Sequence, residues 1–207
     1  LFFNTSQKGV PTMKKLFLIL VFSFLSCMLF SAPFGLKMGM TVEEIKTACN
    51  GIKPKYYERD IYFITPKKKH PLFETYGVFV DEKQGLYKIR CVSREIITGN
   101  DGAELKSSFG NALKVVSKTY GEPDIIDISD SNIIDKEWFS KLRNGKVSTK
   151  VQWTKTTRLS ESNIEKIELK IIPDDRDYSA FKNIGAIVLN YYFKNTSSVE
   201  DEQDSVF

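Results

Sequence analysis

The sequence is poor in the residues that catalytic and metal sites use most often. Its 207 residues include one histidine and three cysteines, and we find no glycine-rich phosphate loop and no HExxH, CxxC or nucleophile-elbow motif. The one histidine, His70, lies in a segment of lysine and proline, which argues against a cysteine–histidine catalytic pair. We therefore expect a protein that is not an enzyme and that needs no cofactor and no metal.

A large surplus of one charge is also missing. The chain has 30 Lys and Arg residues against 26 Asp and Glu residues; residues 1–32 hold three of the lysines and no acid, so the remainder has 27 basic residues against 26 acidic ones. Nucleic-acid binding requires a concentrated basic surface, and the short cluster Lys67–Lys69 is typical of a solvated loop. We expect no nucleic-acid partner. A content of 27% charged and 13% aromatic residues excludes a disordered chain and a multi-span membrane protein.

Residues 13–32 have the three-part pattern of a secretory signal peptide. Two lysines precede the apolar run Leu16–Phe30, and small residues follow it. At ~1.5 Å per residue this run spans ~22 Å, less than the ~30 Å hydrocarbon core, which disfavours a permanent membrane anchor. Residues 1–12 precede Met13, and we interpret them as an over-extended start. We expect an exported protein of the periplasm or cell envelope.

The way in which this leader is cut remains open. Phe24–Cys27 (FLSC) approximates a bacterial lipobox, in which the cysteine is lipidated and anchors the mature chain. Cleavage near Ser31 or Ala32 would instead leave a soluble protein. We expect contact with a membrane only through the leader or through a lipid anchor on Cys27.

The other two cysteines both fall on apolar faces of predicted elements. Cys49 shares a helical face with Ile45, and Cys91 alternates with polar residues on the same strand face as Ile89. An exported protein can form a disulfide between them, worth ~4 kcal/mol in the chain-entropy model. Two inert buried thiols would give the same pattern, so both alternatives stay open.

Two amphipathic helices and one short helix are predicted. The first begins with a capping box of Thr41 and Glu44. The second has an apolar stripe that extends from Leu105 to Tyr120. Residues 134–142 form the short third helix.

Six segments alternate apolar and polar residues or are rich in aromatic and β-branched residues, which favours strands. They are 56–65, 73–81, 86–93, 146–155, 164–172 and 184–194. Strands with one apolar and one polar face are typical of antiparallel sheets that helices cover on one side. The predicted fold class is therefore α+β, with two main helices packed on one face of a largely antiparallel sheet. A helix followed by three strands occurs twice, which suggests a tandem layout.

We expect one folded domain over residues 33–195, with 33–98 and 99–195 as its halves. Residues 124–133 are interpreted as a polar connector that contains isoleucines. The acidic stretch 196–207 lacks periodicity and is predicted to be a flexible tail.

Two short motifs resemble a family of envelope proteins. Leu36–Ile45 (LKMGMTVEEI) resembles the G-M-T-x-E-E-V opening of the first helix in small bacterial proteins of the SmpA/OmlA (BamE) type. Tyr120–Pro123 (YGEP) is similar to the L-G-x-P sequence that ends this helix. The tandem helix-plus-sheet layout is similar to the β-lactamase-inhibitor protein fold. The resemblance implies a binding or assembly module exported to the cell envelope, and it carries over no catalytic residue.

Aromatic side chains crowd the predicted strands, and adjacent ones must point to opposite faces of the sheet. Some therefore lie on the uncovered face, where tyrosine and tryptophan commonly anchor protein partners. Tyrosine also favours half-buried strands, which leaves a structural role open. The candidate binding residues are Tyr57, Tyr62, Tyr76, Trp153 and Tyr192.

Three polar clusters are candidates for reactive or cation-binding sites. Glu58 and Asp60 share a predicted strand face and could act as an acid/base pair, but such pairs are common on wet strands. Gly99–Gly102 lacks the alternating oxygen ligands of a calcium loop, which favours a turn. The three aspartates within 174–177 could hold a cation, but an arginine among them favours a solvated loop.

The leading prediction is a non-enzymatic exported protein, periplasmic or tethered to the envelope, that binds another envelope or extracellular protein through the open face of its sheet. Two alternatives remain. One is an exported enzyme whose active site no motif records; the other is a carrier of a small ligand or lipid, which needs an apolar cavity between helices and sheet. A deep cleft with converging carboxylates would favour the enzyme, and a flat aromatic face the binding protein.

Overall fold

The computed structural model describes residues 33–51, 53–129, 136–174 and 183–199, all of which belong to one compact unit, Ala32–Phe207. The predicted signal peptide with Cys27, two of the three clustered aspartates and residues 200–207 of the predicted tail lie outside the described residues.

A nine-stranded antiparallel sheet dominates the described residues. Its strands are β1 Lys55–Glu58, β2 Ile61–Ile64, β3 Thr75–Asp81, β4 Gly85–Val92, β5 Ile96–Thr98, β6 Ile125–Ile128, β7 Thr149–Trp153, β8 Ile164–Pro173 and β9 Asn183–Phe193. The α-helices are α1 Val42–Ala48, α2 Ala103–Tyr120, α3 Trp138–Arg143 and α4 Thr157–Glu161. A 3-10 turn at Pro33–Gly35 and a helical turn at Thr196–Val199 lie at the two ends. The fold therefore mixes α and β around an antiparallel sheet, as the sequence predicted.

The strands follow the order β1-β2-β3-β4-β9-β8-β7-β6, and β5 pairs with β9. Each half of the chain thus forms a meander that starts at one edge of the sheet and ends at its centre. There β4 pairs with β9, with Ile89 opposite Tyr191 and Cys91 opposite Leu189. Each half contributes four strands to this continuous order, one more than the three predicted.

Capping residues near the helix ends set where the helices begin and end. At the start of α1, Thr41 Oγ1 accepts from the Glu44 N–H at 3.3 Å and Glu44 Oε2 accepts from the Thr41 N–H at 2.8 Å, so the predicted capping box is present. The helix α2 ends at Gly121, where the chain adopts a φ of +86°. The predicted short helix is present as α3, whose aromatic residues are buried.

Buried side chains of α1 and α2 join those of the strands in one core cluster. Ile45 of α1 and Leu105 of α2 are both 0% exposed. At Gly185 of β9 an added Cβ would lie 2.9 Å from Leu105 Cδ1, so α2 approaches the sheet closely where the strand has no side chain. With 18 residues α2 is long, whereas α1, α3 and α4 have 7, 6 and 5. The prediction of two main helices therefore holds only in part.

The segment predicted as one strand over 56–65 is a hairpin of β1 and β2. Arg59 adopts a φ of +45°, which turns the chain so that Glu58 faces Ile61. The aromatic and β-branched run on both sides conceals this turn, because the turn itself contains no glycine or proline.

Two boundaries were also wrong in the prediction. The connector 124–133 contains β6, in which Ile126 pairs with Val151 of β7; as an edge strand with exposed side chains, β6 has no apolar alternation to reveal it. The folded part continues past residue 195, because Thr196 Oγ1 donates to the Tyr87 carbonyl at 2.8 Å and Val199 is 1% exposed.

Candidate functional site

The two faces of the sheet differ in composition. Residues paired across neighbouring strands share a face, and successive residues of a strand alternate between faces. On β4, Ile89 and Cys91 are 0% exposed and belong to the core, whereas Lys88 is half-buried and Arg90 is exposed. We call the side of the sheet that carries Lys88 and Arg90 the open face.

One row of the open face alternates aromatic rings and cations. Phe79, Lys88, Tyr192 and Lys166 are paired in turn on β3, β4, β9 and β8. Lys88 Nζ lies 4.8 Å from both ring centroids, and Lys166 Nζ lies 4.3 Å from the Tyr192 centroid. The negative face of an aromatic ring attracts an ammonium group. The Tyr192 ring therefore has a lysine ammonium close to it from each neighbouring strand.

The adjacent row is a hydrogen-bonded polar network. Arg90 Nε donates to Asn190 Oδ1 at 3.0 Å, and Asn190 Nδ2 donates to Glu168 Oε1 at 3.3 Å. Gln152 Nε2 donates to Glu168 Oε2 at 2.9 Å, and Lys170 Nζ lies 3.0 Å from Glu168 Oε1. Asn190 is 0% exposed and Glu168 is 7% exposed. The two buried members of the row thus have the hydrogen-bond partners that buried polar groups require.

Glu168 is the anionic centre of this network. Its burial favours the neutral acid, but the hydrogen bond and charge of Lys170, the amide of Gln152 and the charge of Lys166 outweigh burial and hold the pKa of Glu168 below its ordinary value. The carboxylate is therefore ionised at neutral pH and neutralises part of the charge around it.

Cations outnumber acids in the open-face rows that run from β3 to β6. The cations are Lys88, Arg90, Lys150, Lys166 and Lys170, and the acids are Asp81, Asp127 and Glu168. Asp127 lies 3.4 Å from Lys150 and Glu168 lies 3.0 Å from Lys170, so these two carboxylates already have a lysine partner. We call the set Phe79, Lys88, Arg90, Lys166, Lys170 and Tyr192 the open-face patch. Its chemistry suits an anionic surface.

Two of the five predicted binding aromatics lie on or beside this patch. Tyr192 is part of it. Tyr57 is 60% exposed, and its ring centroid lies 5.1 Å from that of Phe63. Phe63 pairs with Gly77, which pairs with Arg90, so Tyr57 lies near the β1 edge of the open face.

The other three predicted aromatics belong to the core side. Tyr76 and Trp153 are 1% and 0% exposed, so the prediction that they contact a partner is wrong. Strand alternation turns both inward, where Tyr76 Oη donates to a loop carbonyl and Trp153 Nε1 donates to the Gly121 carbonyl at 2.7 Å. Tyr62 pairs with Val78 and packs against the core.

Cys49 and Cys91 are both buried free thiols. The structure therefore contains the two inert thiols and not the disulfide. Burial raises the pKa of both groups, and for Cys91 the rise is large. A thiol that stays protonated is a poor nucleophile.

Glu58 and Asp60 lie on either side of the β1–β2 turn and not on one strand face. They line a cavity of about 430 Å³ together with Arg59, Tyr87 and two residues of the open-face patch, Phe79 and Lys88. Tyr87 Oη donates to Asp60 Oδ2, which ties Asp60 to β4. The two residues therefore do not share one strand face, which the disfavoured acid/base alternative required, because the turn separates them.

A larger groove of about 830 Å³ lies between residues 69–74, residues 93–97 and α2. Three carboxylates line it, those of Glu74, Glu95 and Glu104. Glu104 accepts from Thr98 Oγ1 at 2.6 Å and from the Gly99 N–H at 3.1 Å, and these bonds lower the pKa of Glu104. Glu104 thus stabilises the predicted turn Gly99–Gly102, in which the Gly102 N–H donates to the Gly99 carbonyl at 3.0 Å. A carboxylate held in its charged form by its own loop is poorly suited to act as a general acid.

Most residues of the patch were not singled out by sequence reasoning. The alternation of β4 and β8 places Lys88, Arg90 and Lys166 on the wet face, and this signal is present in the sequence. What the sequence does not show is that Asn190, between two core residues of β9, lies beside both Arg90 and Glu168. That contact depends on the register between distant strands.

None of the described helices has the length and apolar character needed to cross a bilayer. Within the described ranges, no three His, Cys, Asp or Glu side chains come together as metal ligands. The chain matches no family model, no curated protein and no solved structure.

Proposed function

We propose that this protein is a non-enzymatic, exported envelope protein that binds an acidic surface of another protein through the open-face patch. The observation that carries the proposal is the row Phe79, Lys88, Tyr192 and Lys166, in which rings and ammonium groups alternate across four strands. Tyrosine is among the residues that dominate the energetics of protein interfaces, and a lysine ammonium group lies on either side of the Tyr192 ring. The surplus of cations favours an acidic partner and fast association with it.

The proposed arrangement has two layers. The helices α1 and α2, as the main helices of a tandem layout, cover one face of the sheet, and the other face is left to the partner. Leu105 and Phe109 of α2 pack in the core between this helix and the strands. This packing favours a binding site on the surface, and not the internal ligand cavity that a carrier would need. The resemblance to envelope proteins of the SmpA/OmlA type agrees with a binding role.

Export is the second part of the proposal, and the leader 13–32 supports it. Fractionation of cells that express the full chain, with the mass of the mature N-terminus, tests it. We expect the product in the periplasm or envelope, beginning near Pro33 or at a lipidated Cys27. A cytosolic product that retains the leader would overturn this part.

The binding role can be tested by site-specific photo-crosslinking in envelope extracts. A crosslinking residue at position 166 should capture one acidic protein, and one at the exposed position 114 on α2 should not. Tyr192→Ser and Lys166→Glu, each combined with a crosslinker elsewhere in the patch, should reduce the yield, and Lys114→Glu should not. Capture should also weaken as salt is raised, because screening shortens the range of the attraction. Equal capture from both positions, or a basic captured protein, would contradict the proposal.

A further inference from the structure

Arg90 is the best positioned cation of the open-face patch. Its Nε is fixed by Asn190 Oδ1 at 3.0 Å, and its guanidinium carbon lies 5.5 Å from the Phe79 ring centroid. Its partner on β3 is Gly77, which offers no side chain, and the guanidinium lies near Phe79 on the same strand. The side chain is nevertheless exposed. A guanidinium held at two points loses less conformational entropy when it binds a ligand.

The orientation of Asn190 follows from its second neighbour. A carboxylate can only accept hydrogen bonds, so the NH₂ group of Asn190 must face Glu168 and its carbonyl oxygen must face Arg90. Glu168 is in turn held by Gln152 and Lys170. Because Asn190 is fully buried, it has little freedom to turn over. The charge of Glu168 thus determines that Arg90 Nε faces the carbonyl oxygen of Asn190 and not its NH₂ group.

We propose that Arg90 binds a carboxylate of the partner protein through both terminal NH₂ groups, and that Asn190 and Glu168 are positioning residues for it. The inference rests on the proposed function and names the group that the patch recognises. Among the described residues no carboxylate forms an ion pair with Arg90, and its two terminal nitrogens match the two oxygens of a carboxylate. Lys88, whose ammonium lies over the same Phe79 ring, adds a second positive charge beside this site.

The test measures binding of a hexaglutamate peptide to the purified protein by calorimetry at low salt. Arg90→Lys keeps the charge and removes the planar pair of donors, and it should weaken binding roughly tenfold or more. Arg90→Gln should weaken it further, whereas Lys114→Gln, a charge removal on α2, should have no effect. Asn190→Leu should weaken binding in the wild-type background and have no further effect in Arg90→Gln. If Asn190 only supports the fold, Asn190→Leu should weaken binding by the same factor in both backgrounds.

The outcomes separate this inference from the proposed function. If Arg90→Lys binds as tightly as wild type while Lys88→Gln weakens binding, the bidentate contact is refuted and the basic patch remains. If wild type does not bind the peptide, or Lys114→Gln weakens binding equally, both are refuted. If the Arg90 variants lose affinity for phosphatidylglycerol vesicles or single-stranded DNA more strongly than for hexaglutamate, the ligand is a phosphate and the inference fails. Melting curves of each variant confirm that it is folded.

Discussion

Replacement of Trp153 by phenylalanine tests the placement of a residue that the sequence nominated for binding. Trp153 is 0% exposed, and its indole N–H donates to the Gly121 carbonyl at 2.7 Å. Trp153→Phe deletes this bond, which costs about 0.5–1.5 kcal/mol, because Gly121 is exposed and water can replace the indole N–H at its carbonyl. The smaller ring adds a partial cavity worth about 1 kcal/mol. We expect the free energy of unfolding to fall by roughly 1.5–2.5 kcal/mol, which for a chain of this size lowers Tm by about 3–10 °C.

Urea unfolding followed by circular dichroism measures this loss, and the fluorescence of Trp138 remains as a second probe. Tyr57→Phe is the matched control, because Tyr57 is 60% exposed and its change should stay within about 0.5 kcal/mol. Folded Trp153→Phe protein should bind hexaglutamate as wild type does. An unchanged urea midpoint, or a loss of binding without a loss of stability, would refute the assignment of Trp153 to the core.

Three further predictions concern single groups. Gly85→Ala should lower the free energy of unfolding, measured in urea, by more than about 2 kcal/mol, because Gly85 has a φ of +70° and its new Cβ would collide with the backbone of Gly39. Gly110→Ala in α2, with open space around its Cβ, should instead raise the free energy of unfolding by about 0.5–1 kcal/mol. Glu168→Gln should be less stable than wild type at pH 7, and this difference should narrow as the pH falls below 4.5, since a lowered carboxyl pKa stabilises only the ionised form; a difference that does not narrow with falling pH would contradict the role of its charge. The two buried cysteines should react with iodoacetamide only after unfolding, and reductant should leave Tm unchanged, whereas a fall in Tm with reductant would reveal a disulfide.

Local sequence signals predicted the elements whose chemistry lies within a few residues. The capping box at Thr41, the end of α2 at Gly121 and the alternating strand 164–172 all depend on such short-range patterns. The β1–β2 turn at Arg59 was missed, because a positive φ on a residue other than glycine leaves no mark in composition. Strand β6 was missed because edge strands bury too little to require apolar alternation.

The candidate site was less predictable than the fold elements. Alternation correctly separates Tyr191 from Tyr192, but it does not say which of the two faces the helices cover for each strand. The sequence therefore does not show that Tyr62 of β2 and Trp153 of β7 both lie on the side of the sheet that packs in the core, and both were assigned to the open face. The Arg90–Asn190 contact joins residues 100 positions apart, and single-sequence patterns carry no information over that distance.

The central pairing of β4 with β9 has a consequence for how the chain folds. Until Asn183–Phe193 has been made, β4 ends the first meander with one bare hydrogen-bonding edge, and β8 does the same in the second. Joining them requires a contact between residues far apart in the chain, which slows folding and exposes two edges to neighbouring chains. A product truncated before β9 should therefore aggregate and not survive as a stable half. Since Asn190 of β9 orients Arg90 of β4, the proposed carboxylate site forms only after β9 has paired with β4.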